Sequence, residues 1–141
     1  MRIMGLDMGT KRIGVAVSDK LGLIAQALTT IKRDNIPEDL KLVCELVRDY
    51  EVQEVVIGYP RHLDGRPGEE AAAYVAFGEM LHKETGIPVI YWDERLSTVA
   101  AERALLEGDM RRRQRRQVID RVAASLILEN YLTWRRGNRD V

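Results

Sequence analysis

Four acidic residues in this chain stand where carboxylates do chemistry. Asp7 follows the apolar run Arg2-Ile3-Met4-Gly5-Leu6, and Asp93 and Glu94 follow the apolar run Val89–Trp92. Asp120 lies in a long helical pattern. Counting about 100° per residue from Val118, it falls at about 200°, on the margin of an apolar stripe centred near about 100°. A carboxylate at the end of a core strand costs free energy unless a cation or donors offset it. Ligand sites in α/β sheets gather beyond the carboxyl ends of strands. Acids converging from two strand ends and a helix offer the hard oxygen ligands that magnesium or manganese takes alongside water and substrate phosphate.

Each acid also has a plainer reading. Asp7 can cap its own turn by accepting the Gly9 and Thr10 amides. Asp93 and Glu94 can pair with Arg95 or Arg103, and Asp120 can favour the positive end of its helix. Other catalytic chemistries find little support. The chain has two histidines, His62 in a loop and His82 on a helix face away from the core, so no Ser-His-Asp arrangement is visible. Zinc, which takes Cys and His, finds too few of them.

The elements that would position these acids are legible. Strands are expected over about 2–8, 11–19 and 23–32, with Asp19-Lys20-Leu21-Gly22 as a hairpin turn and Gly22 at positive φ. Asp34-Asn35 offers an N-cap and Pro37 a first helical turn; Leu40, Val43, Cys44 and Val47 then share one face. Val55–Gly58 is a short strand, followed by a polar loop over 59–68. A helix over Ala71–Leu81 ends by Gly86, Val89–Trp92 is the last strand, and Ser97 or Thr98 caps a helix to about Glu107. The last helix runs from about Gln114 to Trp134. A hairpin-connected start followed by alternating units predicts an α/β fold: a five-stranded mixed sheet, three antiparallel strands then parallel ones, with helices on both faces.

Composition bounds the partners. The 141 residues suit one domain, spanning 1–141. Cys44 is the only cysteine, which excludes an internal disulfide and suits a reducing compartment. No basic-then-apolar leader and no apolar run of ~20 residues is present, so the expectation is a cytoplasmic protein outside the membrane. The net charge of zero hides a polarity. Residues 111–141 carry nine arginines against Asp120, Glu129 and Asp140, leaving +6 there and −6 elsewhere. A basic surface for a polyanion beside an acidic, cation-holding region follows. Lys11 and Arg12 after the Asp7 turn, Arg95 after Glu94, Arg61, His62 and Arg66 in the polar loop, and the run Arg111–Arg116 all suit substrate phosphates.

GLDMGTKRIGVAVSD at 5–19, VVIGYP with HLDG at 55–65, DERLST at 93–98 and the VID–AAxLIL pattern at 118–128 closely resemble the YqgF/RuvX family. The match runs in order over about residues 2–132. These are RuvC-like nucleases of the ribonuclease H superfamily, described as Holliday junction resolvases or as nucleases maturing the 5′ end of pre-16S ribosomal RNA. The resemblance implies a ribonuclease H-like fold and catalytic, metal-holding acids Asp7, Glu94 and Asp120. Two Mg2+ or Mn2+ ions about 3.5–4 Å apart would serve phosphodiester hydrolysis, Asp7 touching both and Glu94 and Asp120 one each. Lys11, Arg12, Arg61, Arg95, Arg112, Arg113 and Arg116 would contact substrate. Ser97 and Thr98 are expected as caps that orient Glu94. The partner is a ribosomal RNA precursor or branched DNA, bound by a monomer or weak homodimer. Residues 135–141 lie outside the resemblance and are expected to form a flexible tail.

Two rivals come from other classes. An actin- or Hsp70-like ATPase shares a phosphate-binding hairpin of the type seen at residues 7–17, but closes nucleotide between two such domains. Nucleotide-induced thermal stabilisation would mark it. A non-catalytic nucleic-acid-binding module explains the arginines and leaves the three acids as coincidence.

Overall fold

The structure, a computed structural model, describes residues 1–59, 71–93 and 112–139, with backbone alone for 112–121, 138 and 139. Apolar residues fill both faces of β1 (Ile3–Met8), and every one of its side chains is buried. Such a strand belongs at the centre of a sheet covered on both sides. β2 (Arg12–Ser18) pairs antiparallel with β1, Met4 opposite Val17 and Met8 opposite Ile13. β3 (Ala25–Lys32) pairs antiparallel with β2. β4 (Glu54–Tyr59) runs parallel to β1, and β5 (Val89–Asp93) parallel to β4. The sheet order is β3-β2-β1-β4-β5, the mixed sheet expected from the sequence.

Helices cover both faces. On one side α1 (Ile36–Asp49) and α2 (Ala71–Thr85) bring Val43, Val47, Phe77 and Leu81 onto Met4, Leu6, Met8, Ile13, Val15 and Val17. The Asn35 side chain accepts the Glu38 N–H at 2.9 Å and Pro37 lies in the first turn, as read from the sequence. On the other side α3 (Arg112–Arg139) lays Ala124, Ile127, Leu128, Tyr131 and Leu132 over Ile3, Ala16, Val56 and Trp92. Gly5 makes this contact possible: a Cβ there would stand 2.9 Å from the Ala124 carbonyl oxygen and from Leu128 Cβ.

Some boundaries differ from the expectation. β3 starts at Ala25 rather than near residue 23, because the Asp19 carboxylate takes the Leu23 and Ile24 amides at 2.7 and 3.0 Å and holds them in the turn. Gly22 sits at φ +69° within that turn, as expected. α3 continues through Gly137 to Arg139 where the sequence pattern ends it near Trp134, so residues 135–139 of the expected tail are helical. The expected loop over 59–68, beyond Tyr59, and the expected helix from Ser97 or Thr98 to Glu107 lie outside the described residues. No helix among the described residues is long and apolar enough to cross a membrane.

Candidate active site

Side-chain alternation sorts the acids by face. Along β1, Ile3 and Gly5 meet α3, whereas Met4, Leu6 and Met8 pack toward α1 and α2. The two-residue period of a strand therefore gives Asp7 to the α3 face. There it is buried, 9% exposed, at the carboxyl end of the central strand. Its neighbours across the sheet are glycines. Gly14 pairs with Asp7 on β2, and Gly58 stands one residue beyond the Leu6–Ile57 pair on β4. Neither flanking strand thus presents a side chain beside the carboxylate on that face. An isolated Gly within a strand often marks close approach by a ligand or another backbone. Sequence reading passed over both glycines, because only the strand register shows that they flank Asp7.

Asp93 falls on the other side. Ile90 and Trp92 of β5 pack with the α3 cluster, and Val89 and Tyr91 with the α1–α2 cluster. Asp93, two residues after Tyr91, shares the α1–α2 face and does not stand with Asp7. Glu94 lies outside the described residues, as do Arg61, His62, Arg66, Arg95, Ser97, Thr98 and Arg103. Asp120, Arg112, Arg113 and Arg116 are placed on the α3 helix, their side chains outside the described ones. Lys11 is exposed and Arg12 half-buried at the turn after Asp7.

α3 has a definite direction over the sheet. Its Tyr131 hydroxyl donates to the buried Glu54 carboxylate, which is level with Ile3, while Ala124 and Leu128 lie over Gly5. The helix is therefore antiparallel to β1, and its N-terminal half extends toward the Asp7 end. Hard oxygen donors fit a divalent cation there, and the thioethers of Met4 and Met8 pack on the opposite face of β1 from Asp7. His82, exposed on α2, has its Nδ1 within 2.7 Å of the Ile87 carbonyl, in keeping with a face turned from the core.

The turn after Asp7 is held by residues that sequence reading did not single out. The Tyr74 hydroxyl donates to the Met8 carbonyl, and Arg33 Nη1 donates to the Gly9 carbonyl at 3.0 Å. Gly9 is required there, because a Cβ would sit 2.6 Å from the Arg12 carbonyl oxygen. No local pattern announces Arg33 or Tyr74, whose partners are 24 and 66 residues away. A cavity of about 1080 Å3 lined by Arg2, Cys44, Arg48, Tyr50 and Thr85 opens at the opposite end of the sheet. It collects none of the candidate acids and lies at the amino ends of the parallel strands, the wrong end for a site of this fold.

Comparison with known proteins accords with this architecture. A family described as "RuvX: Holliday junction resolvase" matches residues 1–134. A protein of Moorella thermoacetica named "Putative pre-16S rRNA nuclease" is 59% identical over 132 residues, 94% of each chain. One of the same name from Carboxydothermus hydrogenoformans is 49% identical over 138 residues, 98% of this chain and all of that one. Among solved structures, T. thermophilus RuvC in complex with Holliday junction substrate superposes with a TM-score of 0.63 at 17% identity, covering 97% of this chain and 96% of that one. That likeness establishes a RuvC-like, ribonuclease H-type fold. Sheet order, the buried strand-end aspartate and a match over nearly every residue agree: this chain belongs to the RuvX family.

Proposed function

We infer that this chain is a nuclease hydrolysing phosphodiester bonds of structured nucleic acid, and that its substrate is the 5′ region of precursor 16S ribosomal RNA in the cytoplasm. The observation that carries the reading is Asp7, buried at the carboxyl end of β1 between two glycines, in a chain 59% identical to a protein named for that activity.

Asp7, Glu94 and Asp120 are the proposed catalytic acids, holding Mg2+ or Mn2+. The direction of α3 supports Asp120. From the contact of Gly5 with Ala124, two strand residues advance about 6.6 Å to Asp7, and four helical residues about 6 Å the same way to Asp120. Strand alternation counts against Asp93, which falls on the α1–α2 face of β5, and leaves Glu94 as the proposed acid of that pair. When bound, the cations would activate the attacking water and neutralise charge on the leaving oxygen. The chain's own part is to fix the carboxylates and to hold the scissile strand. Lys11 and Arg12 at the β1–β2 turn, with Arg61, Arg95, Arg112, Arg113 and Arg116, would neutralise phosphates and give binding a steep salt dependence.

A second reading, resolution of Holliday junctions, is favoured by the description of the matching family. Two symmetric cuts need paired sites, so a stable two-fold dimer would support it, whereas a monomer or weak homodimer suits RNA processing. The deciding experiment offers purified protein and manganese both a precursor 16S RNA fragment and a four-way DNA junction. Cleavage of the RNA at its 5′ side with the junction intact is expected. Symmetric junction cleavage with intact RNA would replace the first reading by the second, and cleavage of neither would overturn both.

A further inference from the structure

We propose that Arg33, clamped by Asp39, is a positioning residue that presets the β1–β2 turn for substrate phosphate. The proposal rests on the nuclease reading above, in which Lys11 and Arg12 of this turn contact the nucleic acid.

Strands β1 and β2 are joined by only Gly9, Thr10 and Lys11, two of them exposed. A connection of this kind moves freely unless its backbone is tied down. Here the carbonyls around it are engaged from outside the hairpin: Met8 by the Tyr74 hydroxyl, Gly9 by Arg33 Nη1 at 3.0 Å, and Lys11 by the Arg33 backbone N–H at 2.9 Å. Arg33 holds two of the three.

Its guanidinium is itself fixed. Asp39, 1% exposed at the start of α1, accepts Arg33 Nε at 3.4 Å with one carboxylate oxygen and the Asp34 N–H at 3.0 Å with the other. One edge of the fork is spent on a buried carboxylate and another nitrogen on a carbonyl. An ammonium, a single point charge, cannot reproduce both at once. The guanidinium therefore serves the turn rather than reaching for phosphate. The link ties the segment after β3 and the N-terminal turn of α1 to the loop that begins two residues after Asp7. A turn ordered before substrate arrives does not lose that freedom on binding.

The test uses the full chain, Arg33→Met and Asp39→Asn, with the precursor RNA fragment and manganese. Both variants should raise KM about tenfold with kcat changed less than about threefold. Amide hydrogen exchange over residues 9–12, measured without substrate, should quicken about tenfold. Asp39→Asn keeps the arginine charge, so a KM rise there separates positioning from direct phosphate contact. In a Lys11→Met background Arg33→Met should add less than about twofold, and Arg33→Lys should not rescue. Unchanged KM in folded variants, unchanged exchange, or fully multiplicative effects with Lys11→Met would overturn the proposal. Should Asp39→Asn fail to fold, Arg33→Met, at a side chain 22% exposed, carries the test alone. A wild type that neither binds nor cuts the RNA overturns the RNA-processing reading instead, while the substrate-free exchange arm still judges the turn.

Discussion

Among the described residues two buried carboxylates occupy the α3 face of this sheet, at opposite ends, and only one has the surroundings of a site. Glu54, 7% exposed at the amino end of β4, receives the Tyr131 hydroxyl and has Arg135 Nη2 4.0 Å from its other oxygen. Tyr131 and Trp134 of α3 pack their rings against Trp92, with centroids 5.9 Å apart, Trp92 itself being level with Gly58 on β4. Asp7, at the carboxyl end of β1, has Gly14 and Gly58 on the flanking strands and the N-terminal half of α3 leading toward it. Burial alone therefore does not mark function. One carboxylate is matched by donors from a single helix and serves packing. The other stands level with a glycine on each flanking strand, at the sheet end where this architecture binds ligands.

The strongest way to break this contrast is to exchange the charge at each end. Asp7→Asn should lower metal-dependent cleavage at least about 10³-fold while the melting temperature holds or rises; a cleavage assay and a thermal melt together check it. Retained cleavage would remove Asp7 from the chemistry. Glu54→Ala should do the reverse. It strips Tyr131 and Arg135 of a buried acceptor and should cost about 2–4 kcal/mol in urea denaturation, with kcat/KM unchanged wherever the protein is folded.

Gly5→Ala joins the two ends. Its Cβ would push α3 off the sheet, costing about 1–3 kcal/mol, and because the same helix carries Asp120, cleavage should fall as well. Loss of stability with undiminished cleavage would mean that α3's distance from β1 is immaterial to the reaction.

The smaller effects sharpen the packing end. Burial first, and donation to Glu54 second, push the Tyr131 hydroxyl above the usual tyrosine range. In the unfolded chain it ionises near its ordinary value, so it contributes stability below about pH 10 that is lost as pH rises beyond it. Tyr131→Phe should cost about 1–2 kcal/mol at pH 8 and flatten the alkaline decline, read from denaturation at pH 8 and 11. Burial, then the nearby Glu84 carboxylate, raises the Cys44 thiol, so alkylation at neutral pH should be several-fold slower than for free cysteine.

Much of this molecule follows from local rules. Apolar runs ended by turn residues located the strands, the Asn35 cap and Pro37 located α1, and acids directly after buried strands drew attention to Asp7 and the 93–94 pair. Those signals are readable because strand period, capping and the cost of a buried charge act over a few residues. What pairs across the sheet was not readable. That Asp93 faces away from Asp7, that glycines flank Asp7, that Glu54 is buried against a tyrosine 77 residues away, and that Arg33 holds Gly9 all depend on strand register and helix direction. Those are settled by packing the whole sheet between its two helical layers, a property no short stretch of chain contains.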